Sequence, residues 1–268
     1  MFDLLALDAC LAGTIFAGNV HYSEVTQSTN TDALTAARAH APHGSVYLSD
    51  EQRAGRGRGR NGWHSTAGEG LYVSVLLRPA LPAARMPLLP LAAGLAAAAA
   101  IREVTGLEID IRWPNDLLLG PRKAGGILVE AKAEARANGV EFAVAGIGIN
   151  VHQRSFPWGL STPPTSLDLE TGRTIPRQPL LLALLKALER EAEALHDPAG
   201  AATIPRRVQQ SSTWIGGQLV QVHGPQACTG VTSGLDENGF LRVRTDQGMV
   251  TVHTGGLRAL PVPPEEVI

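Results

Sequence analysis

Apolar residues recur every three or four positions along residues 179–196 (PLLLALLKALEREAEALH), the spacing of a helix that buries one face. Residues 87–104 are apolar almost all round and rich in alanine, which predicts a second, deeply packed helix. Pro87 and Pro90 fall near its start, where a missing N–H costs least. Residues 28–40 (STNTDALTAARAH) predict a third helix, with Ser28 or Thr29 as its cap and Asp32 in its first turn. Elsewhere the period shortens to two or dissolves into continuous apolar runs. Residues 45–49 (SVYLS), 71–77 (LYVSVLL), 107–113 (LEIDIRW), 127–131 (ILVEA) and 142–151 (FAVAGIGINV) read as strands. The stretch PNDLLLGPRKAG between the third and fourth of these predicts a hairpin.

The pattern changes near residue 214. Short β segments follow (QLVQVH, ACTGVTSGL, FLRVRT, MVTVHTGGL), separated by turns such as DENG and TDQG. That rhythm predicts a small closed barrel of about 50 residues. The expected organisation is an α+β domain over 1–213, with a mixed sheet and flanking helices, and a β-barrel over 214–268.

Charge alters this picture in one place. The chain of 268 residues has a formal net charge of −2, which argues against bulk nucleic-acid binding. Positive charge is instead gathered in EQRAGRGRGRNGW at 51–63, where Arg53, Arg56, Arg58 and Arg60 alternate with Gly55, Gly57, Gly59 and Gly62. Glycine lets the backbone curl until its N–H groups approach a ligand. Arginine adds a planar cationic fork that matches carboxylate and phosphate. Such a loop suits a small anion and is expected to move when empty. Gly57, Gly59 and Gly62 also satisfy GxGxxG, but no acidic residue lies near position 82, as a dinucleotide site would need.

Other features narrow the class. Cys10 and Cys228 have no CxxC partner; a reducing compartment fits them, and a disulfide between them is compatible too. The longest apolar run, at 91–101, is 11 residues, too short to span a membrane. The eight histidines are scattered without ligand spacing, so no structural metal is expected.

Three segments accompany the arginine-glycine loop. Ser28-Thr29-Asn30 reads as a helix cap and equally as a polar pocket at a helix N-terminus. Arg112-Trp113-Pro114-Asn115-Asp116 reads as a strand end and turn, or as a cation held beside Asn and Asp near phosphate and metal. The alternating glycines of Gly146-Ile147-Gly148-Ile149-Asn150 weaken a strand and mark close approach to its backbone.

Taken in order, these motifs resemble those of the bacterial biotin protein ligases, the biotin–[acetyl-CoA-carboxylase] ligases. The matching elements are STN at 28–30, QRAGRGR at 52–58, Trp63, RWPND at 112–116, RKAGGIL at 122–128 and GIGIN at 146–150. The resemblance extends over essentially the whole chain. It implies the biotin/lipoate ligase fold, with an SH3-like C-terminal barrel. It also implies a two-step reaction: biotin and ATP form biotinyl-5′-AMP, and a lysine of the acetyl-CoA carboxylase carrier domain then takes the biotin.

The resemblance further implies roles for residues. Ser28, Thr29, Asn30, Gln52, Gly55, Arg56, Gly57, Arg58, Arg112 and Gly125 are expected around biotin. Arg56, Arg58, Trp63, Asn115, Asp116, Lys123 and Asn150 are expected around ATP. Arg112, Arg58 and Lys123 are the expected catalytic cations, and Asp116 meets Mg²⁺ through the phosphates. The loop from about Ala54 to Trp63 closes over the adenylate. The protein is expected in the cytoplasm, as a monomer or homodimer, without nucleic acid or membrane partners. Only 27 residues precede Ser28, fewer than a winged helix-turn-helix needs, so a monofunctional ligase is expected.

Two departures stand out. The family's x-G-R-x-W after GRGR is Gly59-Arg60-Asn61-Gly62-Trp63 here, which shifts or removes one arginine. Arg112 replaces the family lysine, turning a compact ammonium into a broad fork. A lipoate or octanoate ligase of the same fold is the alternative; the 52–58 loop and RWPND argue against it. An RNA-binding Arg-Gly segment would need further runs and interleaved aromatics, which are absent.

Overall fold

A computed structural model of the chain describes residues 2–59, 61–79, 81–133 and 139–260. Arg60, whose role the sequence leaves open, lies outside the described residues.

Seven strands form the larger sheet: β1 (Val20–Thr26), β2 (Val46–Gln52), β3 (Gly70–Leu77), β4 (Asp110–Arg112), β5 (Asp116–Leu119), β6 (Arg122–Ala133) and β7 (Val140–Asn150). Their order is β1-β2-β3-β7-β6-β5-β4. β1 and β2 run parallel and the other neighbours antiparallel, so the sheet is mixed, as the sequence predicts.

Side-chain alternation divides this sheet into two faces. Leu71, Val73, Val75, Ile147 and Ile149 join the main core. On that side lie α3 (Leu88–Thr105), α5 (Arg177–His196) and α6 (Pro198–Gln210). α3 fits closely because five of its eleven buried residues are alanine and one is glycine, and Gly106 ends it at φ 78°. Although α3 is apolar and long enough to cross a membrane, 61% of it is buried within the fold. The opposite face carries Leu76, Phe142 and Val144, which pack beneath Ala33 and Ala37 of α2 (Thr29–Arg38). α2 stops partway along the sheet. Beyond its N-terminus the same face continues as Ser74, Gly146, Tyr72 and Gly148, and there the cleft opens.

The pattern reading did not anticipate α1 (Leu4–Cys10), strand β1, the short α4 (Leu167–Thr171) or α6. α1 is too short to show a clear period, and β1 is half exposed as an edge strand. Residues 107–109 lie outside β4, and the predicted hairpin gains a strand because β5 pairs with both β4 and β6.

The second sheet contains β8 (Gly216–His223), β9 (Cys228–Leu235), β10 (Leu241–Thr245), β11 (Gly248–Val252) and β12 (Gly256–Ala259). It is antiparallel in the order β11-β10-β9-β8-β12, consistent with an SH3-like arrangement. The sequence predicts a closed barrel here. Among the described residues the ladder stays open, with β11 and the four-residue β12 as its edges. The segment read as one strand, MVTVHTGGL, breaks at Thr254-Gly255, where Gly255 takes φ 150°. Val220, Val222, Leu241 and Val243 belong to the same apolar cluster as α3 and the larger sheet. Trp113 Nε1 reaches across to the carbonyl of Gly239 at 3.0 Å. Cys10 is exposed and Cys228 half-buried; both thiols are free.

Candidate active site

One cleft of about 920 Å³ opens between the two sheets. Of the residues expected in the site, Ser28, Thr29, Asn30, Gln52, Arg56, Gly57, Arg58, Trp63, Arg112, Asn115, Asp116, Lys123 and Asn150 all line it. Gly55 and Gly125 do not. A Cβ on Gly55 would collide with the Trp63 carbonyl, and one on Gly125 would stand 2.8 Å from the Gly148 carbonyl. Both glycines let backbone pack behind the site, and neither presents a surface to the cleft.

The end nearest α2 is tightly wired, mostly through neutral side chains, with the Glu130 carboxylate at its margin. Ser28 holds the N-cap position but makes no side-chain cap bond. Gln52 does that work: its Oε1 accepts from the Thr29 N–H at 2.9 Å, while its Nε2 donates to Ser65 Oγ at 2.8 Å. Ser74 Oγ lies 2.6 Å from Asn30 Oδ1 and 2.7 Å from Thr29 Oγ1. Asn30 Nδ2 donates to Glu130 Oε2 at 2.9 Å. A Cβ on Gly146 would collide with Asn30 Oδ1. The alternating glycines therefore have separate occupants, since Trp63 lies over the second: a Cβ on Gly148 would fall 2.6 Å from its indole nitrogen. The close approach expected at this strand is made, in each case, by a side chain of the protein.

The middle of the cleft is charged. The β4–β5 turn sets Arg112 directly opposite Asp116, and Arg112 Nη2 donates to Asp116 Oδ2 at 2.6 Å. Lys123 Nζ reaches the other carboxylate oxygen, Oδ1, at 2.5 Å. Burial pushes the Asp116 pKa up, but Lys123 and then Arg112 outweigh it, so the net displacement is downward. Arg112 is only 8% exposed and also lies over the Trp214 ring, 5.1 Å from its centroid. Its second partner is Thr162 Oγ1 at 2.7 Å. Lys123 Nζ stands 5.6 Å from the centroid of Trp63.

The glycine-rich loop folds back on itself in this structure. Gly57 N donates to Asn61 O and Trp63 N to Gly55 O, both at 2.8 Å. Arg56 grips Glu130 with two bonds, at 3.0 and 2.6 Å. Arg58 donates to the Gly255 carbonyl and, at 2.7 Å, to Thr254 Oγ1, both in the turn between β11 and β12. Burial draws the Arg58 pKa down while Asp116 opposes it, and the guanidinium keeps its charge.

Sequence reasoning missed Glu130, Thr162, Ser74, Trp214 and the Thr254-Gly255 turn. Glu130 alone left a sign, as the single carboxylate in the apolar strand ILVEA. Asn115 and Asn150 serve the framework as well: their Nδ2 groups donate at 2.9 Å to the carbonyls of Ile127 and Thr165 respectively. No cluster of three potential metal ligands occurs among the described residues. Asp116 is already neutralised by two cations, so this donor set does not fit a protein-held Mg²⁺. Among the described residues, three buried side-chain polar atoms have no partner: Trp63 Nε1, Gln153 Oε1 and His223 Nε2. All three residues line this cleft.

A polar pocket beside a cluster of cations, under a glycine-rich loop, suits an uncharged polar group placed next to an anion. Residues 22–150 match the biotin/lipoate A/B protein ligase family. The chain is 33% identical to the bifunctional ligase/repressor BirA of Bacillus subtilis, covering 88% of this chain and 72% of that protein. It is 32% identical to the biotin–[acetyl-CoA-carboxylase] ligase of Paracoccus denitrificans, over 83% of this chain and 93% of the relative. The fold superposes on the Aquifex aeolicus biotin protein ligase in complex with biotin and ATP, with a TM-score of 0.77 and 27% identity over 91% of this chain and 100% of that one. The chain therefore belongs to the biotin/lipoate protein ligase family, on its biotin protein ligase branch.

Proposed function

We propose that the cleft activates biotin with ATP and passes it to a lysine of a biotin-carrier domain, that of acetyl-CoA carboxylase. The observation that carries this reading is the direct abutment of the neutral Ser28–Gln52 pocket on the Arg112–Asp116–Lys123 cluster. The ureido ring of biotin is uncharged and rich in hydrogen-bonding groups, which suits the first. The carboxylate and α-phosphate are anions and need the second.

In the first step the biotin carboxylate attacks the α-phosphate and pyrophosphate leaves. Arg112 and Lys123 share one carboxylate, Asp116, and so can turn part of their charge toward the forming pentavalent phosphorus. Fixed cations of this kind stabilise developing charge without reorganising solvent. Arg56 and Arg58 close the loop over the mixed anhydride and keep water away. Trp63 packs near the nucleotide, and Asn150 lies close by. Mg²⁺ enters with the ATP phosphates, as part of the substrate. In the second step the carrier amine attacks the acyl carbon and AMP leaves with the bonding pair. The second sheet helps close the site through its contact with Arg58. The cytoplasm, where both substrates occur, is the setting for this chemistry.

The test is intact-mass spectrometry of an apo carrier domain incubated with the protein, biotin, ATP and Mg²⁺. A gain of one biotinyl group that requires ATP supports the reading. A gain with lipoate or octanoate and none with biotin overturns it.

A further inference from the structure

Arg112 stands where the motif it belongs to has lysine, and the groups around it are matched to a guanidinium. That group carries five N–H bonds in one plane. Nε and Nη2 donate to Asp116 Oδ2 at 3.1 and 2.6 Å, and Nη2 also donates to Thr162 Oγ1 at 2.7 Å. The guanidinium carbon lies 5.1 Å from the centroid of the Trp214 ring, within cation–π range. Asp116 and Thr162 thus hold two sides of the plane, and the indole covers a face. Nη1 keeps two N–H groups with no acceptor among the described residues. The side chain is buried at the wall of the cleft, so this free edge belongs to a fixed cation.

Both holders are themselves anchored. Trp214 ends a segment laid along β4. Ile111 N donates to Ser211 O at 3.0 Å, Ser212 Oγ to Ile111 O at 2.6 Å, and Thr213 N to Asp110 Oδ1 at 3.0 Å. Trp214 N then donates to Ser212 Oγ at 3.1 Å. Thr162 is tied to β6 at the second cation of the cluster. Lys123 N donates to Pro163 O at 2.8 Å, and Thr165 N to Lys123 O at 2.9 Å. A lysine at position 112 could not use this setting in full. Its ammonium is a point charge with three N–H groups and no plane to orient. A cation stabilises developing charge best when it need not reorganise as that charge forms, and a long side chain meets that condition only if it is held.

We propose that Thr162 and Trp214 are positioning residues for the first chemical step: they fix the plane of Arg112 so that Nη1 meets the α-phosphate as charge builds there. The inference rests on the reading of the cleft as a biotin-activating site. Neither residue touches the reacting atoms. Each acts through Arg112, and the arginine of this chain is matched to the two.

The experiment is a double-mutant cycle read by biotin-dependent pyrophosphate release. Thr162→Val and Trp214→Leu should each lower kcat by about tenfold, the scale of a misplaced catalytic group, with the KM for biotin within about twofold. In an Arg112→Lys background the same two substitutions should change kcat by less than about twofold, because the group they orient is gone. Thr162→Ser and Trp214→Tyr keep the hydroxyl and the aromatic face and should hold kcat within about threefold. A merely structural role would lower kcat equally in both backgrounds, and that result overturns the proposal. So does an unchanged kcat in the Arg112 protein, or a loss confined to the KM for biotin. If Trp214→Leu fails to fold, Thr162→Val and Trp214→Tyr carry the same cycle. Pyrophosphate release by the unaltered protein is the separate check on the ligase reading, and its absence would mark the failure of that reading alone.

Discussion

The two halves of the cleft satisfy their polar groups in opposite ways. At the α2 end, Thr29, Asn30, Gln52 and Ser74 bond one another in fixed, neutral pairs. In the middle and at the loop, four described cations are held by protein acceptors: Arg112 and Lys123 by Asp116, Arg56 by Glu130, Arg58 by Thr254 and Gly255. A neutral network can receive its ligand without rearranging. A paired cation must loosen one partner to gain another. On the proposed function, the first end serves recognition and the second an exchange of anions during the reaction.

Substitutions can break this contrast, and the largest effect is expected at Arg112. Arg112→Ala should lower the rate of biotin-dependent pyrophosphate release by about 10³-fold, as for loss of a buried group that meets the transition state. Asp116→Asn comes next, because it leaves Arg112 and Lys123 facing each other without an anion. It should cost about 3 kcal/mol of folding stability at neutral pH, read from denaturant unfolding. The folded pKa of Asp116 is displaced downward, so its contribution is complete above the ordinary 3.8 and is lost as pH falls through the lower folded value. The unfolding curves of the two proteins should accordingly converge on acidification, and a gap that persisted at low pH would contradict this account of the cluster.

The glycines sharpen the comparison. Gly146→Ala displaces Asn30 and should weaken biotin binding by about 1–3 kcal/mol in calorimetric titration. Gly148→Ala displaces Trp63 and should raise the KM for ATP with biotin affinity nearly unchanged. If both substitutions weakened biotin alone, the two ends would not be distinct. Arg58→Gly should speed the escape of biotinyl-AMP by about tenfold, through loss of a charged clamp. Thr254→Ala removes only one of the two acceptors of Arg58 and should change that escape rate by less than about threefold.

How much of this was legible beforehand follows from range. α3, α5, β3 and β7 are long and strongly patterned, and the sequence places them within a few residues. The cations of the site are legible because each sits in a motif whose chemistry has few other uses. Glu130, Thr162 and Trp214 are not, because what makes them functional is the residue they meet, 74, 50 and 102 positions from Arg56, Arg112 and Arg112 respectively. The cap of α2 shows the same limit. Ser28 has the right type and position, yet the bond comes from Gln52 on a strand brought alongside by the sheet. The closed barrel was overread for a related reason. Alternation reveals strands, but closure depends on edges, and β12 is four residues long.

The bond from Trp113 to Gly239, together with the apolar cluster that runs through both sheets, bears on where this molecule could be cut and rejoined. A change of rhythm near residue 214 invites treatment of the second sheet as an exchangeable module. Val220, Val222, Leu241 and Val243 share their packing with the helices of the first part, and Trp113 sits one position from Arg112. A graft that brought a foreign second sheet would have to reproduce that seam before it could offer a new docking face. Recombination with relatives should thus succeed where α3 and the β9–β10 turn are inherited together, and fail where they are parted.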